Sequence, residues 1–148
     1  MQGHNNFHTF IRRRYGEDLL TSCRSLEKVT RRQRKAELDL HFLQYCRLND
    51  IVPNFVKFKL YKSSLYQTHF YDDATKKLLD MEISYKHRCV KNLTDQMNTL
   101  LVSVKEKLSM VDCFVFKHLF TKSINEYVSI VQRTHENKLE HPVILNMS

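Results

Sequence analysis

Turn-forming residues are scarce in this chain: glycine and proline occur twice each in 148 residues, and tryptophan is missing. An all-β fold needs many tight turns, so the scarcity argues against one and favours a few long helices. The same shortage removes every glycine-rich phosphate loop, since neither GxGxxG nor GxxxxGKS/T occurs. Cysteine is also thin. Cys23, Cys46, Cys89 and Cys113 lie at least 23 residues apart, so there is no CxxC pair. A disulfide framework is therefore not expected, and a reducing intracellular setting, nuclear or cytoplasmic, is. The N-terminus lacks a secretory apolar core, and no apolar run approaches the ~20 residues of a membrane span. No membrane partner is expected.

Positive charge is what the chain has in excess. Lysine and arginine total 24 against 16 acids, a net charge of +8. Such a surplus attracts polyanions. Hydrophobic residues make up 42%, enough for the core of one domain and too many for wholesale disorder.

The spacing of apolar residues predicts an all-α fold. Leu19, Cys23, Leu26, Thr30 and Gln33 step by 4-3-4-3, and Ala36, Leu40 and Leu43 continue the seam, so one long helix is expected over about 17–48. Gly16 separates it from a short helix around Phe7–Arg14, and Pro53 stops any continuation. A second seam runs Leu79, Ile83, Lys86, Val90, Leu93, Met97, Leu100, Val104, Leu108, predicting a helix over about 74–108. Each comes to about 50 Å, so the two are expected to pair antiparallel as a hairpin.

Shorter helices over about 109–120 (Met110, Val111, Phe114, Val115, Leu119) and 122–139 (Ile124, Val128, Val131, Leu139) are expected to pack on the hairpin. The connector, 49–73, is too long for a tight turn. Alternation of Val56, Phe58 and Leu60 with Lys57 and Lys59 predicts a short strand within it. The expected organisation is an N-terminal arm (1–16), a helical domain (17–141) and a truncated link (142–148) to a missing domain.

Candidate binding residues follow the charge. Arg24, Lys28, Arg31 and Lys35 recur at i, i+4, i+7, i+11 on one helical face, roughly opposite the seam. Arg32 and Arg34 flank them, and Arg12, Arg13 and Arg14 lie just upstream. Residues 12–35 hold nine bases and three acids, a surplus of +6. A solvated helix face and a phosphate-binding face fit this pattern equally well, because phosphate contacts need only rows of cations. In the connector, Phe55, Phe58, Tyr61 and Tyr66 interleave with Lys57, Lys59 and Lys62. Aromatics among lysines can stack unpaired bases, though packing against a helix end is the reading we favour.

Catalytic constellations are not found. Phe70-Tyr71-Asp72-Asp73 has the form of a polymerase metal box, but Ala74–Leu79 reads as the first turns of a helix, so the two acids suit an N-terminal cap. His69, His87, His118, His135 and His141 lack zinc-ligand spacing, and Cys113 with His118 has no second pair. Neither a cofactor, a metal nor an enzyme activity is expected.

Several words of the sequence resemble the N-terminal region of Penelope-like retroelement proteins. They are Arg14-Tyr15-Gly16-Glu17-Asp18-Leu19-Leu20, Cys23-Arg24-Ser25-Leu26-Glu27-Lys28, and Leu40-His41-Phe42-Leu43-Gln44-Tyr45-Cys46-Arg47 with Val52-Pro53 and Phe58-Lys59-Leu60. Val143-Ile144-Leu145-Asn146-Met147-Ser148 resembles the segment leading into the reverse transcriptase of those proteins, with Met147 where Leu is usual. The resemblance implies full-length relatives with a reverse transcriptase core, often with a GIY-YIG endonuclease, and none of those catalytic motifs lies in this region. It implies RNA or DNA as partner. A polymerase domain or a second copy of the chain is the alternative partner for a structural, coiled-coil-like module.

Overall fold

The computed structural model describes residues 6–53 and 73–140, with side chains over 7–53 and 73–135. The described residues are all-α: α1 (Asn6–Tyr15), α2 (Glu17–Leu48), α3 (Asp73–Glu106) and α4 (Met110–Glu140). The alternating segment around Val56–Leu60 lies outside the described residues.

Helix boundaries are set by local chemistry. Gly16 has φ +93, a left-handed geometry natural to glycine, and its N–H bonds back to the carbonyls of Ile11 and Arg12 at 3.3 and 3.1 Å. That closes α1 and lets α2 start one residue later. At the other end of α2, Asp50 takes φ 55, and the Ile51 N–H reaches the Cys46 carbonyl at 2.9 Å. This six-to-one closure stops the helix before Pro53 is reached. Ser109 caps α4, its Oγ accepting the Asp112 N–H at 3.1 Å.

The chain divides into two compact units, Met1–Lys35 with Val90–Ile130, and Ala36–Cys89 with Val131–Ser148. In the first unit the core is Phe7, Ile11, Leu19, Leu20, Cys23, Leu26, Val104, Leu108 and Phe116. Phe7 sits edge-on to Phe116 and Phe120, with ring centroids 5.6 Å from each. Burying a phenylalanine fully contributes about 1.5–3 kcal/mol. Phe7 and Ile11 belong to the stretch expected as an arm outside the helical domain. The arm is instead part of this unit, because α1 has its own apolar face, and that face is buried.

In the second unit, Ala36, Leu40, Phe42, Leu43, Cys46, Val52, Leu79 and Val131 are buried. Asp39 of α2 accepts from Lys86 Nζ at 3.2 Å and lies 2.8 Å from His135 Nε2, whose ring stacks on Phe42. Lys86 was the one cation in the second seam, and Asp39 supplies its counter-charge. Arg47 and Asp80 pair at 2.9 Å.

All eight seam positions of α2 are buried, Thr30 and Gln33 included. The seam of α3 is covered less completely. Leu79, Val104 and Leu108 are buried, while Ile83, Lys86, Val90, Leu93, Met97 and Leu100 are half-buried.

Two expectations for the last third need correction. The helices over 109–120 and 122–139 are one helix, α4. No glycine or proline falls between them, and Ser123 sends its hydroxyl to Glu27 Oε2 at 2.7 Å rather than competing for its own backbone. The packing face also differs. Met110, Val111, Phe114 and Val115 are exposed, whereas Asp112, Phe116, Ser123 and Ile124 are buried. Both faces of this segment carry apolar residues, so periodicity alone could not choose between them. The Phe7 contact and the bond of Tyr15 to Asp112 favour the other one.

Candidate nucleic-acid interface

The basic row of α2 is assembled from one-turn steps. Arg24, Lys28, Arg32 and Lys35 are all exposed, and no acid is exposed on α2 between them. Arg31, placed in that row by spacing, is turned elsewhere. Its Nη2 lies 3.3 Å from Glu27 Oε2 and 3.4 Å from Ser123 Oγ, and its guanidinium sits 5.3 Å from the Tyr127 ring centroid. Glu27 faces inward and also lies 3.5 Å from His8 Nε2. Its charge is thus spent on Arg31 rather than on the exposed row, and Arg32 takes the place that spacing gave to Arg31.

The upstream arginines separate into different roles. Arg12 pairs with Glu17 at 2.6 Å, an exposed contact worth at most about 1 kcal/mol. Arg14 bonds Asp112 at 3.1 Å and lies over the Phe10 ring at 5.6 Å. Arg13 is exposed and makes no ion pair among the described residues. The other candidates, Lys57, Lys59 and Lys62, lie outside the described residues. Of the Phe70–Asp73 box only Asp73 is described, as the exposed first residue of α3, where a negative charge favours the helix.

Asp112 is a hub that sequence spacing did not flag. The Tyr15 hydroxyl donates to its carboxylate, Arg14 Nε donates at 3.1 Å, and the Tyr15 oxygen accepts the Ser109 N–H at 3.1 Å. Tyr15 therefore bridges the two halves of a Ser-x-x-Asp cap. The Tyr15 hydrogen bond, helped by Arg14 and Ser109, holds the Asp112 carboxyl below its ordinary range even though desolvation opposes this. The signal available in the sequence was the Ser109-x-x-Asp112 pattern.

Among the described residues, thiols and histidines form no metal-binding cluster. All four cysteines are free, with Cys23 and Cys46 buried. Burial pushes the Cys23 thiol up to about 12, which leaves it inert at neutral pH. Among the described residues no group of three His, Cys, Asp or Glu side chains could hold a metal ion. Among the described residues no helix is long and apolar enough to cross a membrane.

A second surface feature is the start of α4. Met110 is 89% exposed, Phe114 79% and Val111 72%. Contiguous exposed side chains of this size are uncommon on a monomer surface and often mark contact sites. No protein-family model, curated protein or solved structure matches the chain.

Proposed function

We propose that the chain is a non-catalytic basic helical module that binds the phosphate backbone of RNA or DNA. The observation that carries this reading is the exposed row Arg24, Lys28, Arg32 and Lys35. It spans about 16 Å of helix axis at 1.5 Å per residue. Cations so spaced can each meet a phosphate without any precise constellation. The resemblance to the N-terminal region of Penelope-like retroelement proteins favours nucleic acid over other polyanions, and an intracellular site of action, nuclear or cytoplasmic. Within this reading α2 and α3 run antiparallel as a hairpin. The pairs Asp39–Lys86 and Arg47–Asp80 progress in opposite senses along the two helices, which supports that arrangement.

The test is binding of a labelled RNA oligonucleotide and a DNA duplex across a salt series. Four phosphate contacts give a slope of log K against log salt of about −3.6 on duplex and about −2.8 on a single strand. Changing Arg24, Lys28, Arg32 and Lys35 to Gln should flatten that slope and abolish binding at moderate salt. A wild type that does not bind, or a variant that binds equally well, sinks the proposal.

The exposed apolar start of α4 favours a second reading, an interaction module that docks a polymerase domain or a second copy of the chain. Sedimentation of the chain alone and with such a domain tests it. A strict monomer with no affinity for the domain removes it.

A further inference from the structure

The first two turns of α4 are apolar on both sides. Their inner side sends Phe116 into the core and Asp112 into its bonds with Tyr15 and Arg14. Their outer side presents Met110, Val111, Phe114 and Val115, spaced i, i+1, i+4 and i+5 and all exposed. Helical spacing continues that side through His118, Thr121 and Lys122, which are exposed as well. The Ser109 cap and the Asp112 bonds fix the helix start, so the outer side is in place before a partner arrives, and binding there costs little ordering. Methionine and phenylalanine are among the residue types enriched in the cores of protein interfaces.

The charge around this stripe has one sign. Between Glu106 and Glu126 the chain holds Lys107, Lys117 and Lys122, all exposed, and a single acid, Asp112, which is buried and already bonded. None of the three lysines forms an ion pair among the described residues. A second copy of the chain is a poor occupant, because a two-fold pair of these stripes would bring the lysines of one up to those of the other. Strand addition does not suit the stripe either, since it lies on a helix and offers no sheet edge. An anionic bilayer fits less well than a protein, because only two apolar turns are exposed and their inner side is fixed in the core, so α4 cannot sink as an interfacial helix does.

We propose that the outer side of α4 docks an acidic amphipathic helix of a partner protein. Apolar residues of that helix, at i, i+3, i+4 and i+7, meet Met110, Val111, Phe114 and Val115. Its carboxylates meet Lys107, Lys117 and Lys122. The apolar contact supplies affinity, and the charges set orientation and choice of partner. From Met110 to Lys122 the stripe is about 18 Å long at 1.5 Å per residue, so it takes about 12 residues of helix. The proposal rests on the interaction-module reading and deepens it. It does not depend on nucleic-acid binding, whose basic row lies on α2.

Fluorescence polarisation of the whole chain with a labelled peptide tests it. The probe is a helix of about 14 residues, with leucine at i, i+3, i+4 and i+7 and glutamate at most other positions. A matched peptide carries glutamine for glutamate. In about 0.1 M salt the acidic peptide should bind saturably, at least tenfold more tightly than its glutamine twin. Phe114→Ser should weaken it tenfold or more, and Lys117→Glu with Lys122→Glu should remove the preference for the acidic form. Changing Arg24, Lys28, Arg32 and Lys35 to Gln should leave the affinity within twofold. Every substituted side chain is exposed, and circular dichroism checks that each variant folds. Equal binding of the two peptides, weakened by Phe114→Ser, overturns the acidic occupant and leaves the interaction module standing. Self-association that Phe114→Ser abolishes, without peptide binding, does the same. A strict monomer that binds neither peptide overturns both. Acidic-peptide binding that survives Phe114→Ser but is lost with the α2 row overturns the docking site. Flotation with phosphatidylserine–phosphatidylcholine vesicles that Phe114→Ser abolishes, without peptide binding, gives the face to a membrane and overturns the proposal.

Discussion

Replacing Gly16 separates backbone strain from packing with few complications. The residue has φ +93, and a Cβ built there meets nothing within 4 Å. An L-alanine therefore suffers no collision, only the cost of a left-handed backbone, roughly 1–2 kcal/mol. Against this, alanine narrows the unfolded ensemble, which stabilises by about 0.4–1 kcal/mol. The net loss should be about 1 kcal/mol, or roughly 2–4 °C in Tm for a chain of this size. D-alanine reverses the sign, because positive φ is its natural region, and should gain about 0.4–1 kcal/mol. Cys23 permits the synthesis, since a peptide of residues 1–22 can be ligated to a recombinant remainder that begins with Cys23. Urea unfolding followed at 222 nm reads both variants. If L-alanine is neutral or D-alanine is as harmful as L-alanine, the geometry assigned to the α1–α2 corner is wrong. The corner matters because it carries Arg14 and Tyr15 to Asp112.

Two further outcomes follow from buried groups. The Asp112 carboxyl is held below its ordinary value near 3.8, so its contribution to stability is present above that pH and is lost as pH falls through the lower folded value. The stability gap between wild type and Asp112→Asn, measured from urea midpoints between pH 2 and 5, should shrink towards the acid end, and a constant gap would contradict the assignment. With its thiol near 12, Cys23 should resist an aromatic disulfide reagent at pH 8 until the chain unfolds. In a variant retaining Cys23 alone, labelling at the rate of an unfolded thiol would refute this.

Legibility in the sequence tracked how one-sided each helix is. The α2 seam could be read because a single stripe is buried along its length, so the 4-3 spacing and burial coincide from Leu19 to Leu43. The α3 seam has an equally regular spacing but is only half covered over Ile83–Leu100. Periodicity reports that a face is apolar, not that something lies over it. In α4 two apolar faces compete, and the choice between them rests on Tyr15 and Phe7, about a hundred residues away in the chain. The basic row was legible to within one residue. Spacing placed Arg31 in it, but the meeting of Glu27 and Ser123 at the Arg31 guanidinium is a tertiary fact. The polar residues Thr30 and Gln33 at seam positions were the available hint of something unusual in the core, and Lys86 was another. Only coordinates could show that Gln33 and Lys86 are satisfied while Thr30 is not.

The bare apolar end of α4 has a colloidal consequence. Met110, Val111 and Phe114 are not covered by any described residue, and the net charge of +8 opposes the approach of two molecules there. That repulsion reaches about 10 Å in 0.1 M salt and about 3 Å in 1 M. Sulfate and phosphate also strengthen apolar association while they screen. The high-salt wash commonly used to strip nucleic acid from a basic protein would then switch off its own guard against clumping. Material washed in this way should be kept dilute and returned promptly to low ionic strength.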